Sequence, residues 1–207
     1  NLATIIATLR DIDADIIFLQ EVDRRSARSH YVDQVTALRS AFPDHIAYFA
    51  ANLVSPYIPV PLRRPIGPVH SGLMTLVRAS LPIGNDARRV ALPGLYPFPK
   101  RVFHVKRCFL EVPLRRRNRD LSLINLHHSA YDTGGTFRTA QTEAIINRMR
   151  EIEAAGAIAI AGGDWNGIFP GIASDRFAPW TTAPRNLEWL QRICPSAAPA
   201  SWRWLYD

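Results

Sequence analysis

At 207 residues with 47% apolar composition, the chain can bury one sizeable α/β core and is too short for two comfortable domains, so it is expected to form a single domain over residues 1–207. No stretch approaches the roughly 20 uninterrupted apolar residues that span a bilayer, and no basic-then-apolar leader opens the chain, which points to a soluble domain. The formal charge of +7 is almost wholly arginine, Lys100 and Lys106 being the only lysines; this favours an anionic partner in general terms but does not by itself select nucleic acid.

In chain order, Leu2, Ile5, Ile6, Leu9 and Ile12 recur at helical spacing, predicting a helix with one apolar face. The run Ile16-Ile17-Phe18-Leu19 then reads as a strand covered on both sides, ending on Gln20 and Glu21. Proline-rich Ser55 to Pro68 reads as an irregular excursion, while Gly72 to Val77, Val102 to Val112 and Leu121 to Leu126 are strand-like. Arg115, Arg116, Arg117 and Arg119 lie just ahead of the last of these, as an exposed turn or, alternatively, a phosphate-contacting patch. Ala140 to Ile152 is helical through Ile145, Ile146, Met149 and Ile152, and Ala155-Gly156 stops it. Ala157 to Ala161 reads as a second buried strand delivering Gly162-Gly163-Asp164-Trp165-Asn166. A helix from about Asn186 to Ile193 follows, and Ser201 to Tyr206 alternates enough to begin a strand. Cys108 and Cys194 match no zinc or redox spacing, and Cys108 is expected to be a buried thiol. Two helix-strand-acid units of one design suggest two similar halves that bring their strand ends together, the edge where α/β sheets usually bind ligands.

Three strand ends carry candidate chemistry. Glu21, shielded at the end of an apolar strand, would need a cation or several donors to offset its desolvation, and a hard divalent ion would supply that charge; an ordinary surface acid is the alternative. Gly162 and Gly163 permit a tight turn and close approach to a ligand, and the i, i+2 spacing of Asp164 and Asn166 in an extended segment would point both the same way. A carboxylate beside an amide can orient a water, bind a metal and hold a phosphate oxygen, although Gly, Asp and Asn also form ordinary turns. Asn125 and His127 share one parity at the third strand end. His127 there could donate to a phosphoryl oxygen as charge builds, or be a structural histidine satisfied by a carbonyl; His128 points the other way.

Taken together, Asp15-Ile16-Ile17-Phe18-Leu19-Gln20-Glu21-Val22, Asn125-Leu126-His127 and Gly162-Gly163-Asp164-Trp165-Asn166 resemble, in order and at plausible separations, the LQE, NxH and GDxN motifs of the endonuclease/exonuclease/phosphatase superfamily. His70 to Leu76 resembles its central glycine-containing strand, and Phe137 to Gln141 the start of the helix before the GDxN strand. Gln20 to Ser26 with Gly162 to Asn166 looks closest to bacterial members. The resemblance implies a four-layer α/β/β/α sandwich of two mixed β-sheets flanked by helices, and hydrolysis of phosphoester bonds with Mg2+, Mn2+ being a possible substitute. It implies Glu21 as metal ligand, Asp164 orienting the attacking water, Asn166 and Asn125 contacting substrate, and His127 stabilising the charged oxygens. The substrate class left open is nucleic acid, phospholipid or a small phosphate ester. Two family features are not found: an upstream asparagine, for which Asn1 lies too close to the first helix, and a terminal aspartate-histidine pair. The chain therefore reads as lacking the family's first strand and its C-terminal catalytic segment. The competing reading is a phosphate-binding module or catalytically incomplete fragment of the same fold. Compartment and oligomeric state are not legible.

Overall fold

The computed structural model describes residues 1–59, 61–84, 86–94, 98, 104–116, 118–130, 132 and 135–166. The expected helix near Asn186 and the strand from Ser201 lie outside them, as does Cys194.

Helix α1 (Leu2–Ile12) begins at Asn1, whose side chain accepts from the Ala3 amide, and ends at Asp13 in the left-handed conformation. It feeds β1 (Ile16–Asp23). A single 3-10 turn (Ala27–Ser29) and helix α2 (Gln34–Ala41) follow, the latter capped by Asp33 accepting from Thr36 N. Strands β2 (His45–Ile58) and β3 (Gly67–Arg78) form a long antiparallel hairpin, and β1 pairs antiparallel with the other edge of β3. The first sheet therefore has the order β1-β3-β2. The second is β4-β5-β6-β7, from β4 (Arg88–Ala91), β5 (Cys108–Leu114), β6 (Leu121–His127) and β7 (Ile158–Asp164), with helix α3 (Thr136–Ala154) crossing between the last two. Such a crossover is what lets β6 and β7 run parallel.

Strand alternation divides the apolar side chains among three cores. Leu73 and Val77 of β3 meet Cys108, Leu110, Val112 and Leu114 of β5 and Leu123 of β6 between the sheets. Met74 and Leu76, on the opposite face of β3, meet Val35 and Leu38 of α2, with Ile6 and Leu9 of α1 alongside. Phe109, Ile124, Leu126 and Ala159 meet Ile145 and Ile152 of α3. Helix, sheet, sheet and helix thus stack as four layers, the expected α/β/β/α sandwich. Within the helix-facing layer, buried Glu111 of β5 accepts from Arg148 of α3 through both oxygens (2.9 Å each), from Arg88 and from Ser122. Burial favours its neutral form, but those donors together hold its carboxyl below the ordinary range.

Several expected boundaries shift. The hairpin strands take only the two ends of the proline-rich segment, Ser55 to Ile58 and Gly67 to Pro68, and Pro56 is tolerated because it falls where the β2–β3 register slips between Ser55 and Ile58 and no ladder hydrogen bond is asked of it. The strand expected from Val102 begins only at Cys108. Strand β7 is not buried on both faces: Ile158 and Ile160 are 38% and 41% exposed, since β7 is the edge of the second sheet among the described residues. Arg115 and Arg116 form the expected exposed turn with Asp120, which accepts from both; Arg117 lies outside the described residues. Cys108 is buried and free, and burial raises its thiol pKa.

Candidate active site

The two helix-strand-acid units, α1-β1 and α3-β7, bring their strand ends to one side of the sandwich. Parallel register places His127 opposite Asp164 and Asn125 opposite Gly162. Gly162 is where the first sheet rests on the second: a Cβ there would lie 3.1 Å from the Phe18 ring of β1. Gly163 has φ +136°, and a Cβ on it would meet the Leu126 carbonyl oxygen at 2.1 Å. The double glycine is therefore required for packing before any ligand is considered.

Asn125 is 0% exposed and ties the sheets together. Its Nδ2 donates to Leu19 O (3.2 Å), Met74 O (3.0 Å) and Thr75 Oγ1 (3.3 Å), and its Oδ1 accepts from Gln20 Nε2 (2.8 Å). All four groups belong to the first sheet, so this one amide fixes the end of β1 against β6. Gln20, which the spacing did not single out, completes the link.

His127 is buried, its side chain 5% exposed, with Nε2 3.5 Å from Asp164 Oδ2. Its pKa is pushed down to about 4, chiefly by burial and then by Arg107, against the opposing pull of Asp164 and Glu21; Arg28 adds a further lowering influence. At neutral pH the pair is thus a neutral imidazole beside a carboxylate and not an ion pair, and 3.5 Å is too long for a good hydrogen bond. Asp164 is half-exposed, and its Oδ1 accepts from the Asn166 amide at 2.8 Å. Asn166 is not in the extended conformation the i, i+2 reading assumed. Its φ is +47°, a region asparagine tolerates, so the chain folds back on Asp164 and Nδ2 donates to His128 O (2.8 Å). His128 points to the helix side, as its parity implies, edge-on to Trp165 with ring centroids 5.0 Å apart. Burial pushes its pKa down to about 3.

Glu21 also differs from expectation. A β-bulge interrupts the β1–β3 register between Leu19 and Val22, and Glu21 within it has φ +56°. Left-handed backbone in a non-glycine strand residue is uncommon, and such outliers and bulges gather at functional sites. The bulge turns the carboxylate outward: its side chain is 61% exposed, where the apolar strand had suggested shielding. Beside it, Arg28 reaches Glu21 Oε2 through Nη1 at 3.3 Å.

The loop that follows His127 is anchored from α3. Arg138 donates to the carbonyls of Ser129 (3.2 Å) and Asp132 (3.0 Å), and Gln141 accepts from the Ser129 amide (3.0 Å) and donates to Pro93 O (2.9 Å). Phe137 to Gln141 enters from the sequence only through the family resemblance, because the burial of Arg138 and Gln141 leaves no local signal.

A four-layer sandwich that presents a carboxylate, an imidazole and an aspartate-asparagine turn at converging strand ends has the architecture of the phosphoesterase fold. A family model described as Endonuclease/Exonuclease/phosphatase family matches residues 1–205, and the chain belongs to that family. Among solved structures it is similar to an endonuclease/exonuclease/phosphatase from Beutenbergia cavernae DSM 12333, at 18% identity and TM-score 0.67, covering 94% of this chain and 48% of that one. It is similar also to D. rerio TDP2 complexed with single strand DNA product (16%, TM-score 0.57, 81% and 54%). ANGEL2, described as a 2',3'-cyclic phosphatase, matches at 16% identity and TM-score 0.57, covering 82% and 44%. These likenesses carry the fold, and the chain spans about half the length of each of those structures. The sequence has no significant match among curated proteins.

Proposed function

We propose that the protein hydrolyses phosphoester bonds with the help of a divalent cation, magnesium first and manganese as substitute. The observation that supports this most is the convergence of Glu21, His127 and Asp164 at the strand ends of a fold shared with phosphoester hydrolases. The donor chemistry of the site fits a hard cation: Glu21 offers an accessible carboxylate, and magnesium keeps several waters and is usually held by one or two carboxylates plus substrate phosphate. Among the described residues no three His, Cys, Asp or Glu side chains are close enough together to hold one metal ion between them, so the fit is to an ion completed by water and substrate and not to a closed protein cage. When bound, the cation would polarise the phosphoryl oxygens and offset their developing charge.

Glu21 would hold that ion from its bulge. Asp164, with Oδ1 committed to the Asn166 amide, would use Oδ2, which lies 3.5 Å from His127 Nε2, to orient a water and take its proton. His127, neutral at physiological pH, would donate from its ring to a phosphoryl oxygen as negative charge develops, without having first to lose a charge-pairing partner. Asn166 would contact the phosphate through the second N–H of its Nδ2, the first staying on His128 O. Asn125, whose amide is fully engaged, is proposed to serve substrate binding indirectly, by fixing β1 against β6. The single-strand DNA product of the TDP2 structure and the cyclic phosphatase description of ANGEL2 favour a nucleic-acid phosphodiester as the first substrate to test. Exposed Tyr57 and Leu62 at the β2–β3 hairpin end make a phospholipid the second. Parallel assays on plasmid DNA, short-chain phospholipid, bis-p-nitrophenyl phosphate and p-nitrophenyl phosphate separate these cases: cleavage of the diesters with little monoester turnover supports the proposal. Phosphate binding without turnover of any of the four would leave only a binding module.

A further inference from the structure

Arg28 stands at the edge of the site with its orientation already fixed. Its Nε donates to both oxygens of Asp23 (3.2 and 2.9 Å), and its Nη2 donates to Asp23 Oδ1 (2.9 Å) and to Ser71 Oγ (3.0 Å). Asp23 is almost wholly buried, its side chain 4% exposed, and its backbone amide donates to Gln34. Ser71 in turn donates to Val22 O (3.4 Å). One edge of the guanidinium is thereby consumed by groups that have no access to solvent. Among the described residues, the remaining nitrogen, Nη1, makes only the long contact to Glu21 Oε2. Although burial works against its charge, Asp23 and Glu21 raise the pKa of Arg28 above its ordinary value.

Two considerations say what such an arginine is for. A buried ion pair is weak evidence for stability, since the cost of desolvating both groups rivals their attraction and apolar replacements are often as good. What the Asp23–Ser71 clamp does supply is orientation: the side chain has given up its rotamer freedom before any ligand arrives, leaving a directed N–H pair beside the proposed metal-holding carboxylate. Furthermore, Arg28, Glu21 and Asp164 all bear on the charge of His127, so Nη1 and the proposed reaction centre share one electrostatic neighbourhood.

We infer that Arg28 binds the substrate phosphoryl group through Nη1, with Asp23 and Ser71 as the residues that position it. The assignment rests on the phosphoester reading of the site and deepens it. A phosphoryl oxygen would take the Nη1 donor now spent on the weak contact with Glu21, forming a short charge-assisted hydrogen bond in its place. The rest of the guanidinium need not move.

The test removes the pair together. Arg28→Gln with Asp23→Asn leaves the net charge of the protein unchanged, so any loss of affinity is local, and it leaves no buried unpaired charge. Arg28→Met with Asp23→Leu is a second pair that fills the same space with apolar groups should the first fail to fold. Inorganic phosphate is titrated into wild type and both pairs by calorimetry with magnesium present, and urea midpoints are recorded alongside. Phosphate affinity is expected to fall roughly 10-fold or more, the worth of one charge-assisted hydrogen bond, while the urea midpoint of at least one pair stays near wild type. Affinity within about twofold of wild type in a folded pair, or no phosphate binding by wild type, overturns the assignment. Turnover of bis-p-nitrophenyl phosphate by wild type is scored separately, so that absence of hydrolysis would sink the hydrolase reading while the phosphate titration still decides on Arg28.

Discussion

Replacing Asn125 by aspartate changes one NH2 group into one oxygen, at a position with no solvent exposure. Two carbonyls, Leu19 O and Met74 O, and the Thr75 hydroxyl now accept from Nδ2; in the variant the carbonyls would face another acceptor, and only the hydroxyl could turn to donate. Lost hydrogen bonds to the two carbonyls at about 1 kcal/mol each and a buried charge with only Gln20 Nε2 and the Thr75 hydroxyl to donate to it add up to a destabilisation of about 2–4 kcal/mol at pH 7.5. The sign of the pH dependence is set by the same geometry. Burial against carbonyl oxygens raises the folded-state pKa of the introduced carboxyl above the ordinary aspartate value of about 3.9. Its protonated form is therefore favoured in the folded protein, and the variant is least impaired at low pH and loses stability as pH rises. Each pH unit inside that window is worth about 1.4 kcal/mol. Urea unfolding followed by tryptophan fluorescence at pH 7.5 and 5.5 should show the gap from wild type shrinking by about 1–3 kcal/mol at the lower pH. A gap below about 1 kcal/mol, the same at both pH values, would mean that this amide does not join the sheets.

Other consequences follow from the same packing. Glu111→Ala removes the buried partner of Arg88 and Arg148, whose own side chains are 51% and 26% exposed, and should lower stability by about 1–3 kcal/mol in a urea titration, whereas charge substitutions at the exposed Arg115–Asp120 turn should change it by less than about 1 kcal/mol. Gly163→Ala puts a Cβ 2.1 Å from Leu126 O at φ +136° and should cost more than about 2 kcal/mol; a variant as stable as wild type would contradict the β6–β7 register. His128, pushed down to about 3, is neutral in the folded protein. Its stabilisation is complete above the ordinary histidine value of about 6.5 and is lost as pH falls toward 3, at about 1.4 kcal/mol per unit. Stability measured from pH 7 to 4.5 should decline accordingly, and His128→Gln should flatten the slope.

Much of this was legible in the chain. The helices α1 and α3, the apolar run of β1 and the strand ends bearing Glu21, Asn125-Leu126-His127 and Gly162 to Asn166 follow from periodicity and glycine placement, and the parity of His127 against His128 survives in the structure. Helix α2 escaped because only Val35 and Leu38 anchor it, although Asp33 three residues before Thr36 is a capping signal. The bulge at Glu21 could not be read, since nothing local distinguishes a left-handed glutamate from an extended one; the pairing with β3 imposes it. Nor could the partners of Asn125 and Arg28, which lie 50 to 106 and 5 to 43 residues away in sequence, be inferred from spacing. Side-chain networks of that reach are properties of the fold and not of the local pattern.

The central proposal is hydrolysis of a phosphodiester by residues at the converging strand ends, and it meets its most direct test in one assay. Release of p-nitrophenol from bis-p-nitrophenyl phosphate is followed for wild type and Asp164→Ala in magnesium, after EDTA, and after magnesium is restored. Turnover that EDTA abolishes and magnesium restores is expected, reduced at least about 100-fold in Asp164→Ala, in line with loss of a general base. Turnover that is indifferent to EDTA or to Asp164, or no turnover by a folded wild-type protein, would contradict the proposal.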